Sequence, residues 1–402
     1  MTTTVHQLIA LPSRVRALLE ACREAGGRAV LVGGCVRDAL LGEVPADLDI
    51  EVHGLPVEAL REVAGRLGRV DEVGRAFGVL KVRLGAQQVD VSVPRRDSKV
   101  GAGHRGIRAD ADPHLGPTEA ARRRDLTVNA IAWDPLRDEL IDPFSGLDDL
   151  RHGVLRAVDT DTFAEDPLRA LRVAQFIARF GFEAAGALEE QCRTMDVSGL
   201  PAERVRGEVE KLLVKGRAPS RGWDFAYRTG LWRRLLPEWD APAPTRLDRL
   251  ALAPVPEPPR RLALLLACTA PPVELEAALD RLRLHAWLGF DVRQQALALA
   301  RSEHTGPDPR DAATRARWLA EDLEVELYAH LTDDEELAAA AEAMGVGRAP
   351  LLPLVGGREL MEIGATPGAG LGDLLRRLRA LQLDGHLSSP DAALEWARAR
   401  LR

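Results

Sequence analysis

What most constrains this chain is a change in the period of its hydrophobic pattern. In the first third, RAVLVGG at 28–34 is a short apolar run ending in glycines, and apolar residues alternate with polar ones in ADLDIEV at 46–52, GVLKVRL at 78–84 and QVDVSV at 88–93. Alternation places every second side chain on one face of a sheet, so these runs read as strands. An amphipathic opening helix precedes the first run, and VRDALLG at 36–42 reads as a helix after it. From about Asp159 strand signals fade and helical spacing takes over. In DPLRALRVAQFIARFGF at 166–182, Pro167 suits a first helical turn and Gly181 a stop. The expected fold class is therefore α+β, a small mixed sheet with packed helices followed by an all-helical remainder. At 402 residues the chain exceeds what one core organises, so two to four domains are expected.

Prolines recur between Pro237 and Pro272, in PEWDAPAP, APVPEPPRR and TAPPVE, which predicts short helices, stiff connections and a subdomain joint. Near the end, the glycine-rich GATPGAGLG precedes DLLRRLRALQL, where Leu374, Leu378 and Leu381 make an apolar stripe beside Arg376, Arg377 and Arg379. A core helix with a solvated basic face and a contact with RNA suit that pattern equally. The composition, 46% hydrophobic and 29% charged, is that of a folded soluble protein, and no apolar run is long enough to span a bilayer. In MTTTVHQLIALPSRVRALLE arginines interrupt the apolar residues before any cleavage site, so a cytoplasmic location and no membrane partner are expected. Cys22, Cys35, Cys192 and Cys268 form no C-x-x-C pair, which argues against a zinc site or disulfide framework. The net charge of −7 argues against indiscriminate coating of nucleic acid while leaving room for a local basic groove.

Three features carry chemistry. In LVGGCVRD a strand runs into Gly33-Gly34 and then a helix, so backbone N–H groups face a spot where a triphosphate fits, with Arg37 adding charge. Asp47-Leu48-Asp49 heads the next strand, where residues two apart share a face. Two adjacent carboxylates repel unless a hard cation lies between them, and Mg²⁺ with a bound phosphate is its natural occupant. Asp90, flanked by valines on another strand of the same sheet, is the candidate third ligand and general base. These parts suit attack of an RNA 3′-hydroxyl on the α-phosphorus of a nucleoside triphosphate, with pyrophosphate leaving.

GGCVRD with the D-L-D pair resembles the opening motif of the class II tRNA nucleotidyltransferases and bacterial poly(A) polymerases. Further motifs follow in the family's order. Arg123-Arg124-Asp125-Leu126-Thr127-Val128-Asn129-Ala130 resembles the segment that in the family reads the ribose 2′-hydroxyl and holds the triphosphate. Asp142-Pro143-Phe144-Ser145-Gly146 with Asp149-Leu150 resembles the hinge between head and neck. Glu165-Asp166-Pro167-Leu168-Arg169 resembles the base-reading motif, and Glu203-Arg204-Val205-Arg206-Gly207-Glu208 the neck helix that braces it. Gly357-Arg358-Glu359-Leu360 through Gly370 is similar to the family's C-terminal region.

The resemblance implies a nucleotidyltransferase head of the DNA polymerase beta-like kind at 1–150, a helical neck at 151–220, a helical body at 221–350 and a tRNA-binding tail at 351–402. It implies addition of C, C and A, or of the terminal A, to tRNA from CTP and ATP. Asp47 and Asp49 would hold metal and Asp90 assist them. Gly33, Gly34, Arg37, Arg123, Arg124, Asp125, Asn129, Asp166, Arg169 and Arg172 would bind nucleotide. A CC-adding enzyme or a poly(A) polymerase is the alternative within the family, and a tRNA-binding module with an inactive head is the alternative outside catalysis. An aspartate acceptor and an arginine donor match the amine and ring nitrogen that cytosine and adenine share, whereas uracil and guanine present the reverse order.

Gly101-Ala102-Gly103-His104-Arg105-Gly106 satisfies G-x-G-x-x-G but opens no helix. Among Arg95, Arg96, Lys99, Arg105 and Arg108 it reads as a flexible basic loop, which in the family accompanies the switch from C to A addition. Leu126, Gln175 and AFGVLKV at 76–82 depart from family usage, the last of them counting against a poly(A) polymerase. No histidine forms an H-D pair, so the phosphohydrolase domain of some relatives is not expected. His53, His104, His114 and His152 show no ligand spacing.

Overall fold

The computed structural model describes residues 9, 11–72, 79–99, 107–305 and 310–401. They divide into two compact units, Met1–Leu212 with Arg221–Leu235, and Leu213–Ser220 with Leu236–Arg402.

The first unit is built on a seven-stranded mixed sheet. In chain order the strands are β1 (Arg28–Val32), β2 (Asp49–His53), β3 (Arg69–Glu72), β4 (Val79–Leu84) and β5 (Gln87–Ser92). A separate hairpin, β6 (Arg95–Lys99) with β7 (Ile107–Ala111), comes before β8 (Ala132–Asp134) and β9 (Glu139–Ile141). The sheet order is β3-β4-β5-β2-β1-β8-β9, and β2 runs parallel to β5 while every other pairing is antiparallel. Alternation sorts the residues cleanly. Leu31, Ile50, Val52, Leu80, Val82, Val89 and Val91 are buried on one face, and Asp49, Glu51, Lys81 and Asp90 stand on the other. Helices Ser13–Glu24 and Val57–Gly65 pack on the sheet, burying Leu18, Leu19, Leu60 and Val63.

Two expectations need correction. The segment read as a flexible basic loop is, in its flanks, the β6–β7 hairpin, with Arg95 opposite Ala111 and Lys99 opposite Ile107. Its charged side chains hid a strand pairing that uses only backbone groups. The tip, with Gly101, Gly103, His104, Arg105 and Gly106, lies outside the described residues. The chain after Asp159 is also not purely helical, since β10 (Val154–Leu155) pairs in parallel with β11 (Glu183–Ala184). That pair brackets the helix Leu168–Phe180, which ends at Gly181 with φ 71° as its sequence predicts. Helix Pro219–Arg228 crosses it closely, so a Cβ on Gly222 would lie 2.3 Å from the Ala174 carbonyl oxygen.

The second unit is helical among its described residues. Short helices Leu247–Ala251, Pro258–Ala267 and Pro272–Arg281 occupy the proline-rich stretch. Asp291, Asp311 and Asp334 cap later helices by accepting from Gln294, Thr314 and Leu337 N–H groups. Leu374, Leu378 and Leu381 belong to the C-terminal core with Leu360 and Ala393, so the stripe is a packing face. Arg379 is drawn inward by Glu321 and Gln382, while Arg376 pairs with Asp373 on the surface. The four cysteines are free and buried, and burial pushes their thiols up to about 11 or 12. Among the described residues no helix is long and apolar enough to cross a membrane.

The turn before helix Gly146–His152 is fixed at both ends. Asp142 accepts from the N–H groups of Gly146 (2.7 Å) and Leu147 (2.9 Å). A Cβ on Gly146 would lie 2.2 Å from the Thr127 carbonyl oxygen. Gly146→Ala is therefore expected to cost roughly 1–3 kcal/mol, read as a lower urea midpoint, and an unchanged midpoint would show that this helix shifts freely.

Candidate active site

The parallel pairing of β2 with β5 brings two distant carboxylates side by side. Asp49 is in register with Asp90, whose N–H donates to the Leu48 carbonyl at 3.2 Å. Asp47 lies in the bend ahead of β2, so only Asp49 of the D-x-D pair stands within the strand. The dense protein around the Asp49 carboxyl pushes its pKa up, Arg124 draws it down, and Asp90 and Asp47 push it up further, with a net rise. Asp49 is nonetheless exposed, so a ligand can reach it. Among the described residues no three His, Cys, Asp or Glu side chains converge into a closed metal cage. An open, all-carboxylate donor set that raises the pKa of its central member is the chemistry of a hard divalent cation sharing its shell with a second ligand.

A cation from the next motif faces this centre. Gly33 has φ 76° and caps the helix Gly34–Leu40, and a Cβ there would meet a terminal nitrogen of Arg124 at 2.6 Å. The glycine is thus required by its backbone angle, and the Arg124 guanidinium lies against it. Burial and Arg123 lower the Arg124 pKa, opposed by Glu51, Asp49 and Asp125. Arg124 is surrounded by carboxylates, yet its guanidinium makes no hydrogen bond or ion pair among the described residues.

Its neighbours hold it by being engaged themselves. Asp125 is buried and accepts from its neighbour Leu126 N–H (2.8 Å), from Asn129 Nδ2 (2.8 Å) and from Arg172 Nε (2.8 Å). Burial pushes the Asp125 carboxyl up, but Arg172 and Asn129 outweigh it and hold the group at about 2. Asp125 in turn raises Arg172. Arg169 donates to the carbonyls of Thr162 (2.6 Å) and Arg123 (2.7 Å), which ties helix Leu168–Phe180 to the R-R-D segment from a second side. Asp166 receives both terminal nitrogens of Arg204 (3.2 and 2.9 Å) and the Leu168 N–H (3.3 Å), so it is at once a helix cap and half of a forked ion pair. Despite its burial, Arg204 holds Asp166 below the usual carboxylate range.

Arg37 lies beside the glycine turn, where a Cβ on Gly34 would come within 3.4 Å of its terminal nitrogen, but its guanidinium is engaged elsewhere. It is buried, donates to Asp38 (2.9 and 2.6 Å) and Asn129, and stacks on Phe176 (5.1 Å) and Phe180 (4.8 Å). Glu51 was missed from the sequence. It is buried, receives Arg123 at 2.8 Å and lies 3.4 Å from His53 Nε2. Burial pushes Glu51 up, but His53, Arg123 and Arg124 bring it down to about 2. The signal was available, because Asp47, Asp49 and Glu51 continue one alternation and a carboxylate in mid-strand needs a partner.

Residues 29–156 match the family model of the poly A polymerase head domain, and residues 186–241 match the probable RNA and SrmB- binding site of polymerase A. The multifunctional CCA protein of Nitrosospira multiformis is 37% identical over 234 residues, 57% of this chain and 52% of that protein. The CCA-adding enzyme of Bordetella bronchiseptica is 40% identical over 240 residues, 58% of this chain and 63% of that protein. The chain thus spans about half to just under two thirds of the length of these curated relatives. Its fold is similar along almost its whole length to that of the Bacillus stearothermophilus CCA-adding enzyme in complex with CTP, with TM-score 0.75, 22% identity and coverage of 97% and 98% of the two chains. It is also similar to the Thermotoga maritima CCA-adding enzyme complexed with tRNA, with TM-score 0.65, 23% identity and coverage of 100% and 99%.

The Asp125 knot has a pH signature. Its pKa is lower folded than unfolded, so its stabilisation is complete above about pH 4 and is lost as pH falls toward 2. Asp125→Asn should lower stability at neutral pH by roughly 2 kcal/mol and flatten the decline between about pH 4 and 2. Urea titrations of both proteins across that range check this, and parallel declines would show that the carboxyl is not held.

Proposed function

We propose that this chain, a member of the class II CCA-adding and poly(A) polymerase family, transfers nucleotides from CTP and ATP to the 3′ end of tRNA. The observation that carries the proposal is the unpaired guanidinium of Arg124 between Gly33 and the carboxylates, inside the stretch that matches the head domain. A cation left without a partner in that company suits a polyphosphate.

In this reading the triphosphate lies at Gly33 and Gly34 with Arg124 against it, and Arg123 is oriented by Glu51. Asp47 and Asp49 would hold Mg²⁺, with Asp90 beside them. Mg²⁺, when bound, supplies Lewis acidity to the phosphate oxygens. The RNA 3′-hydroxyl attacks the α-phosphorus, its proton passes to Asp90, the bond to the bridging oxygen breaks, and pyrophosphate carries that electron pair away. Asp166 and Arg169 read the base. Asp166 Oδ1 is taken by Arg204 and the Leu168 N–H, but Oδ2 has a second lone pair beyond its bond to Arg204, so it can accept the amine of cytosine or adenine, and Arg169 has further N–H groups for the ring nitrogen. Asp125, Asn129, Arg172 and Arg37 position these groups by fixing the R-R-D segment to the two helices beside it. Head 1–150, neck 151–220, body 221–350 and tail 351–402 remain the division of labour, with tRNA on the helical parts and a cytoplasmic setting.

The deciding experiment offers trimmed tRNA with CTP, ATP or both in single turnover. Labelled product ending in CCA, or in a terminal A, supports the proposal, while long adenosine tracts on unrelated RNA would make the chain a poly(A) polymerase, and no product on any RNA would sink it. Asp49→Ala should lower the rate by at least about 1000-fold while RNA binding persists, and equal loss of both would contradict the metal role. Asp166→Asn turns an acceptor into a donor, so discrimination against UTP should relax at least about tenfold, and unchanged selectivity would remove Asp166 as a base reader.

A further inference from the structure

The sheet face that carries the carboxylates continues past them as a basic surface. Strand pairing places Asp49 beside Asp90, Asp90 beside Lys81 and Lys81 beside Asp71, a charged row across β2, β5, β4 and β3. Two residues along β4 on the same face, Arg83 stands opposite Arg69 of β3 and Gln88 of β5. Neighbouring strands are about 5 Å apart, so Lys81 is one strand from Asp90 and Arg83 is its diagonal neighbour.

Two features of this surface lack a structural explanation. Like charges directly opposite each other destabilise a sheet, yet Arg69 and Arg83 face each other. Arg69 has one relief, a bond to Asp71 at 3.0 Å. Exposed Arg83 and half-buried Lys81 make no hydrogen bond or ion pair among the described residues. The sheet would be more stable with neutral residues here.

The geometry points to an RNA subsite: Lys81 and Arg83, with Arg69 behind them, hold backbone phosphates of the RNA strand whose 3′-hydroxyl lies at Asp90. This rests on the proposed reaction and adds where the nucleic acid crosses the sheet. A phosphodiester strand ending at Asp90 can extend over the outer strands β4 and β3, where three cations face one aspartate, or over β1 and β8, where Val30, Val32 and Ala132 are buried and Arg28 is bonded to Asp134 and Glu139.

The test uses the full chain, ATP and a tRNA ending in CC. In Lys81→Ala/Arg83→Ala the half-saturating RNA concentration should rise about tenfold, and the slope of log affinity against log salt should fall by about 1.4, or 0.7 for each lost contact with a single strand. The half-saturating ATP concentration should stay within about twofold of the parent. Arg83→Ala should melt at or above the parent temperature, because a like-charge pair is removed, and Arg83→Lys should restore RNA binding. Unchanged RNA affinity, or weaker binding with an unchanged salt slope, overturns the subsite and leaves the patch to an acidic protein surface. RNA titration without nucleotide separates the two ideas. If the parent binds RNA but adds nothing, and the double variant binds less, the reaction fails and the subsite stands. If the parent adds nucleotide and the double variant binds equally well, the reaction stands and the subsite fails.

Discussion

The organisation of the first unit depends on one buried carboxylate. Asp125 gathers Leu126 N–H, Asn129 and Arg172, and so joins a turn after the R-R pair to the helix Leu168–Phe180. An unpaired charge at that depth would be strongly destabilising, so the site holds only if all its partners arrive together. Because Asp125 is occupied by Arg172, and Glu51 by Arg123 and His53, neither can neutralise Arg124. The saturation of the surrounding acids keeps one guanidinium open. The same chain of bonds continues from Asn129 through Arg37 to Asp38 and Arg179, linking the glycine turn to both ends of the same helix.

Charge on the sheet is arranged by face rather than by strand. The buried side is held by aliphatic packing, which lets the exposed side carry acids and bases chosen for other reasons. Asp49 and Asp90 repel across a parallel pair, and Arg69 and Arg83 repel across an antiparallel one. Each repulsion weakens the sheet, and each vanishes once a ligand of opposite sign is bound.

Much of this was legible in the sequence, for identifiable reasons. Strands β2, β4 and β5 alternate strongly enough to be read directly, β1 shows as a short apolar run ending in glycines, and the helix Leu168–Phe180 declares both its ends. Strands β8 and β9 are three residues each, too short for periodicity to speak, and β6 and β7 were disguised by charge. The R-R-D and E-D-x-x-R segments were recognisable as motifs, but which side chains would be engaged and which left open was not. Arg37 and Arg124 look alike in sequence. Both lie beside the glycine turn, but one is held by two phenylalanine rings and Asn129 while the other's guanidinium is left open, a difference made by contacts with residues far along the chain.

The parallel register of β2 and β5 also bears on how the molecule comes into being. Asp49 and Asp90 are tens of residues apart, and the strands cannot pair until β3 and β4 have been made and folded back. Closing so long a loop is slower than forming the local hairpin of β4 with β5, so the hairpin should form first and dock later. During synthesis the acidic centre therefore does not exist until the ribosome has released β5. A nascent chain that exposes Asp47 and Asp49 alone holds two of the three carboxylates that the finished protein brings together.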